Sequence, residues 1–187
     1  MRKSILVRIM FMFITTLVLE KCLQAQGKTD LGKEFYQLML AFPDGFRSIN
    51  SGPTSKYDKD STQCNTKVQI SGTSNNFLKR EKGLKRWQLE ANVLDDENDP
   101  ITRKEFEAMF NMFQNAINKM NMQGIKLVRS DDSMIKEGGC WIIKLSKWQL
   151  DNSLKNIESK YLRFTIRLEI VDFGEGGTVL RIVVTDQ

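Results

Sequence analysis

The sequence contains no histidine among its 187 residues. That absence excludes every site in this chain that depends on an imidazole: Ser-His-Asp triads, histidine-ligated zinc sites, and iron sites built from two histidines and a carboxylate. The chain also lacks a P-loop, a G-x-S-x-G nucleophile turn and a G-x-G-x-x-G dinucleotide turn. Catalysis by paired carboxylates stays open, because carboxylates are plentiful and the sequence does not show which of them meet in space.

The apolar run near the start of the chain is too short to span a bilayer, which takes roughly 20 apolar residues. It covers residues 9–19, follows a basic start that contains Arg2, Lys3 and Arg8, and precedes a polar stretch ending in small residues. This layout is typical of a secretory signal peptide. We therefore predict a cleaved signal peptide at residues 1–27, a single mature domain at residues 28–187, and no stable membrane anchor after cleavage.

Cys22 offers an alternative, a lipoprotein anchored through an acylated cysteine. That processing favours small residues before the cysteine, whereas Glu20 and Lys21 stand there, so we expect no lipid anchor. The remainder of the chain has no N-x-[ST] glycosylation motif, and nothing indicates a eukaryotic secretory route. The predicted location is periplasmic or secreted, in a bacterium.

Most of the positive charge belongs to the predicted signal peptide. Residues 1–27 hold four of the 28 basic residues and one of the 23 acidic residues, which leaves a net charge of +2 from a total of +5. Nucleic-acid-binding proteins usually carry a concentrated basic surface, so we expect no nucleic-acid partner. A mature chain of about 160 residues is long enough to bury roughly 70% of its unfolded surface around one core, without a cofactor.

Two segments have the apolar spacing of amphipathic helices. The first, residues 30–42, ends at Pro43. The second begins with the capping box Thr102–Glu105 and continues as an apolar stripe. The members of that stripe are Phe106, Met109, Phe110, Phe113, Ile117 and Met120.

Alternating apolar and polar residues predict about six strands. These are TKVQI at 66–70, RWQLEANV at 86–93, a strand beginning at Ile125, CWIIKLSKW at 140–148, YLRFTIRLEIV at 161–171 and TVLRIVVT at 178–185. Short links favour antiparallel neighbours. The sequence thus predicts an α+β fold in the order α-β-β-α-β-β-β-β, a single twisted antiparallel sheet with both helices packed on one face.

The cysteines that remain after signal cleavage are Cys64 and Cys140. An even count in an oxidising compartment favours a disulfide, which would stabilise the fold by roughly 4 kcal/mol in the chain-entropy model. The alternative is two free thiols, or a thiol buried as a small hydrophobic group.

The polar face of the predicted sheet carries aligned cations. Lys144, Arg163, Arg167 and Arg181 are predicted to project from consecutive strands, where they could bind an acidic protein, a carboxylated glycan or a phosphate group. The alternative is an ordinary solvated face, since Glu90 and Glu169 interrupt the positive charge. Trp148 is open to two interpretations, an exposed aromatic anchor or a core residue.

Two clusters resemble metal ligands by residue type alone. The acidic run at 95–99 has oxygen ligands suited to Ca²⁺, and Met109, Met112, Met120 and Met122 have thioethers suited to Cu(I). However, acids are also favoured before a helix, and methionines fill gaps in cores. We assign no metal and no cofactor.

These observations favour an exported binding or interaction module without catalysis, whose partner is a protein or an anionic envelope ligand. The alternatives are a small carboxylate-dependent hydrolase, and a carrier that opens the helix–sheet interface to an apolar ligand. An exposed patch conserved among aligned homologues would favour the binding module. Buried acids clustered in a cleft would favour the hydrolase, and a cavity behind Phe106–Met120 would favour the carrier.

Overall fold

The structure is a computed structural model that describes residues 31–55, 62–80, 87–94, 100–120, 127–151 and 161–186. The predicted signal peptide, the acidic run at 95–99, Met122 and Ile125 lie outside the described residues. The described part is α+β, with two α-helices and one antiparallel sheet of nine strands. Neither of these helices is long and apolar enough to cross a membrane.

Helix α1 (Leu31–Ala41) ends just before Pro43, as predicted. A 3-10 helix, Phe42–Asp44, follows it directly and contains this proline. Helix α2 (Arg103–Asn118) begins with the predicted capping box. The Thr102 side chain accepts a hydrogen bond from the Glu105 backbone N–H, and the Glu105 carboxylate accepts one from the Thr102 backbone N–H at 2.8 Å.

The nine strands all pair with antiparallel neighbours. In chain order they are β1 (Asn50–Pro53), β2 (Gln63–Thr66), β3 (Asn75–Lys79), β4 (Gln88–Leu94), β5 (Leu127–Asp132), β6 (Ile135–Glu137), β7 (Cys140–Leu150), β8 (Phe164–Asp172) and β9 (Thr178–Asp186). Across the sheet the order is β1-β2-β3-β4-β9-β8-β7-β5, and β6 pairs with the beginning of β7.

The predicted count of about six strands is wrong, and the error lies mainly before α2. Strands β1, β2 and β3 are short and largely polar, so they lack the alternation that identifies a half-buried strand. Val68 and Ile70, which were predicted to lie in a strand, are buried but belong to irregular backbone.

One face of the sheet, the core face, carries the apolar side chains of β4, β8 and β9. Those side chains belong to a single buried cluster together with side chains of both helices. Its fully buried members include Phe35, Leu38, Leu89, Phe106, Phe110, Phe113, Ile117, Ile166, Leu168, Leu180, Ile182 and Val184. Trp148 is also a core residue, and its indole N–H donates to Asn118 of α2 at 2.9 Å.

The opposite side of the sheet is called the outer face, and a β-bulge in β7 alters which side chains it carries. Ile142 pairs with Val171 and Lys144 with Ile170, so one extra residue, Ile143, stands between them. The bulge changes which side chains of β7 point to which face. Ile142 and Leu145 consequently join Val171 in a second, smaller buried cluster separate from the main core.

Candidate functional site

The structure does not bring the four predicted cations together. Arg167 and Arg181 lie on the outer face. Lys144 pairs with the core residue Ile170, and its ammonium group lies 4.4 Å from the ring centroid of Phe110 in α2. Lys144 shares the core face with Ser146 and Trp148, because these residues alternate regularly along β7 opposite core residues of β8.

Arg163 lies in the turn before β8 and is exposed, outside the ladder of strands. Only two members of the predicted cationic surface therefore share a face, and binding of a partner there stays a prediction.

Glu169 joins the two outer-face arginines. It is directly opposite Arg181 in the β8–β9 ladder, and its carboxylate has no exposed surface. Arg181 donates to Glu169 Oε2 through Nε at 2.9 Å and Nη2 at 2.6 Å. On the other side Arg167 Nε forms an ion pair with Glu169 Oε1 at 2.5 Å.

Glu137 of β6 adds a second carboxylate to this cluster. Arg167 donates to Glu137 Oε2 through Nη2 at 2.9 Å. That hydrogen bond is the main reason why the pKa of Glu137 is lowered from 4.5, and it outweighs partial burial. Burial by itself would lower the pKa of Arg167, but the hydrogen bond to Glu137 and the charges of Glu169 and Glu137 raise it. Two cations and two anions leave the cluster electrically balanced.

The contact between Glu137 and Arg167 requires the β6–β7 hairpin to bend over the outer face. Glu137 is opposite Cys140, whereas Arg167 is opposite Lys147, seven residues further along β7. In a straight strand those positions would stand about 23 Å apart, more than the two side chains can reach. The bulge in β7 supplies the bend, and the turn itself uses two glycines, residues 138 and 139, with φ of 58° and 86°.

Two exposed aromatic residues lie at the same end of the sheet, close to the hairpin. Trp141 is 45% exposed and pairs with Asp172, whose neighbour Phe173 is 46% exposed. Lys136 is opposite Trp141, and its ammonium group lies 5.8 Å from the indole ring centroid. We call Lys136, Trp141 and Phe173 the hairpin-end surface.

The predicted disulfide between Cys64 and Cys140 is not formed, and both thiols are free. Cys64 belongs to the main core and Cys140 packs against the second cluster. Four strands separate β2 from β7, a distance of about 24 Å along the sheet, whereas bridged cysteines have Cα atoms within about 7 Å of each other. The Cys140 thiol instead donates to the carbonyl oxygen of Glu137 at 2.9 Å.

A second group of outer-face residues was not identified from the sequence. Asn75 is opposite Asn92, and Asn92 is opposite Arg181, so these three side chains stand in a row across β3, β4 and β9. We call them the polar row. In the sequence Glu90 and Asn92 occupy outward positions of a strand, which predicts solvated side chains, yet both are buried. The signal that the sequence offered for this group was an asparagine at an outward position on each of two neighbouring strands, Asn75 and Asn92.

The acids of the outer face are poorly suited to acid–base catalysis. A general acid working near neutral pH needs a raised pKa, whereas the pKa of Glu137 is lowered by Arg167. Glu169 is bound on both sides by arginines. Among the described residues, no three acidic or cysteine side chains are grouped as metal ligands.

The chain matches no protein-family model, no curated protein and no solved structure, so no relative assigns a role to these residues.

Proposed function

We propose that the protein is an exported bacterial binding module without catalytic activity, and that it engages a protein partner through the hairpin-end surface. The single observation that carries the proposal is that two aromatic side chains, Trp141 and Phe173, are each nearly half exposed at the same end of the sheet. Export rests on the signal-peptide layout of residues 1–27.

The chemistry of the hairpin-end surface fits a protein partner. Tryptophan and phenylalanine are enriched at protein interfaces, where they supply much of the binding energy from a few positions. Lys136 packs its charge against the indole face, which restricts the ring before a partner arrives. The neighbouring Glu137 and Asp172 provide a polar rim.

The three other interpretations have less support. An anionic ligand would have to compete with Glu169 and Glu137 for the arginines of the outer face. A hydrolase would need an acid with a raised pKa. A carrier would have to open the apolar stripe of α2, and its central residue Phe113 is fully buried in the core. In this proposal both helices cover the core face, and the hairpin end is left for the partner.

Site-specific photocrosslinking tests the proposal. A benzophenone amino acid placed at position 141 or 173 should form one defined adduct in cells, identified by mass spectrometry. The matched control carries the same group at Tyr36, an aromatic residue of α1 with a similar exposure of 40%. Adding Trp141→Ala to the probe at position 173 should abolish that adduct.

The result that would overturn the proposal is an adduct that forms equally at position 36, or one that survives Trp141→Ala. The same samples test export. An intact mass beginning at Gln26 or Lys28 supports signal cleavage, whereas a mature chain that retains residues 1–27 contradicts it.

A further inference from the structure

The two edge strands of the sheet differ in how they are protected from pairing with another molecule. β1 has four residues, ends at Pro53, and pairs with β2 in a register that shifts along its length. A short strand, a proline and an irregular register are devices that natural proteins use to block a sheet edge. β5 has six residues, contains no proline, and keeps one register with β7 throughout. The edge formed by β5 lacks these three protections.

Strand β5 is also accessible. Its last five residues, Val128–Asp132, are exposed, and the apolar side chain of Val128 is 50% exposed. In the part of the chain that the structure describes, β7 is the one strand with which β5 pairs. An edge strand offers a row of unpaired backbone N–H and C=O groups, so a further strand can be added at β5.

Two opposite charges project from the same side of β5. Arg129 Nη2 lies 3.0 Å from Asp131 Oδ2, and the two side chains are 37% and 52% exposed. They are opposite Trp148 and Ser146 of β7, which places both at the margin of the core face. A strand added at this edge would therefore meet one positive and one negative side chain, two positions apart.

These charges make β5 complementary to a second copy of itself in one register. Two copies that meet edge to edge about a twofold axis normal to the sheet pair antiparallel and keep their core faces on one side. Facing side chains then point to the same side, so the axis must pass through a residue position and not between two residues. An axis at Arg129 or at Asp131 places like charges opposite each other, whereas an axis at Ser130 places each Arg129 opposite Asp131 of the second copy.

We propose that β5 is a homodimer interface, at which two copies join their sheets by antiparallel β5–β5 pairing about a twofold axis at Ser130. Each Arg129 then lies between Asp131 of its own chain and Asp131 of the second copy, so four charges alternate in sign. Pairing through one short strand buries less surface than a standard interface, and the dimer therefore forms reversibly as concentration rises. The interface leaves out the hairpin-end surface and does not depend on a protein partner there.

Analytical ultracentrifugation of the purified protein over a wide range of concentrations tests the interface. The unaltered protein should pass from monomer to dimer as its concentration rises. Arg129→Asp and Asp131→Arg should each weaken the dimer tenfold or more, because like charges then face each other at two positions. An equimolar mixture of these two variants should dimerise again, because every facing pair between the two different chains has opposite charges.

The matched control is Arg103→Asp, which makes the same change of charge at a 75% exposed side chain of α2 and should dimerise like the unaltered protein. The mixture controls for folding, because misfolded variants cannot restore the dimer. A monomer at every concentration, a dimer that persists in both single variants, or a mixture that stays monomeric would overturn the proposal.

Engineered cysteines test the register. Ser130→Cys should form a disulfide between the two chains under mild oxidation, because directly opposite residues have Cα atoms about 4.5–5.5 Å apart. Val128→Cys should not, since the two copies of that position stand about 14 Å apart along the strands. Equal crosslinking of both variants would contradict the twofold axis at Ser130.

Discussion

Replacing Glu169 with glutamine should destabilise the fold strongly, because it leaves two arginines facing a neutral group. Glu169 has no exposed surface, and both arginine side chains are less than one-quarter exposed, at 19% for Arg167 and 24% for Arg181. Removing one partner from a buried ion pair typically costs 3–5 kcal/mol. The partial exposure of the arginines lets water take up some of their charge, so we expect the lower end of that range, about 3 kcal/mol.

The matched control is Glu137→Gln, which removes a carboxylate from the same Arg167. The Glu137 side chain is 55% exposed, and exposed ion pairs contribute about 0–1 kcal/mol. Urea unfolding followed by circular dichroism gives both free energies by linear extrapolation. For a chain of this size a loss of about 3 kcal/mol corresponds to a decrease of roughly 6–12 °C in Tm.

Equal losses in the two variants would refute the argument from burial. A loss below about 1 kcal/mol for Glu169→Gln would show that water reaches the carboxylate in solution. The denaturant dependence, m, should be the same for all three proteins, because the change alters one contact and not the compactness of either state.

Further predictions concern pH, the helix cap, the core and the thiols. Because folding lowers the pKa of Glu137 from 4.5, its stabilising effect is present above that pH and is lost as the pH falls through the folded pKa. The free energy of unfolding in urea should therefore fall less between pH 6 and pH 3 for Glu137→Gln than for the unaltered protein. Thr102→Ala should cost about 1 kcal/mol by removing the cap of α2, and Thr102→Ser should restore most of it. Phe113→Ala should cost about 3–5 kcal/mol in the same assay, since the ring is fully buried, and a loss under about 1 kcal/mol would place it outside the core. A thiol reagent should modify Cys140 faster than the buried Cys64 in the native protein, and it should modify both at the same rate in urea. An intact mass lower by two hydrogens than that of the fully reduced chain would instead show a disulfide.

Secondary structure and burial were predicted most accurately for elements that bury one face in the core along their whole length. In β8 and β9 the inward positions, such as Ile166 and Ile182, follow the predicted alternation and are fully buried. The start of α2 was also predicted correctly, because the hydrogen bonds of a capping box join residues only three positions apart. Local periodicity and local hydrogen bonds are properties that a sequence displays directly.

The candidate sites were harder to predict because they depend on long-range geometry. A single bulge places Trp141 and Lys144 on the same face, and no residue type in CWIIKLSKW marks where the extra residue is inserted. The contact of Glu137 with Arg167 exists only because the hairpin bends. The sequence predicts that Glu169 interrupts a positive surface, yet its carboxylate is buried between Arg167 and Arg181.

The position of β9 in the sheet has a consequence for how the protein forms. It lies between β4 and β8, and its partners in β4 are about 90 positions earlier in the chain, so this pairing closes a long loop and slows folding. Until β9 docks, β1–β4 and β5–β8 are two separate pieces, each with an open strand edge that can pair with another molecule. The chain therefore needs protection from aggregation until its last strand has docked.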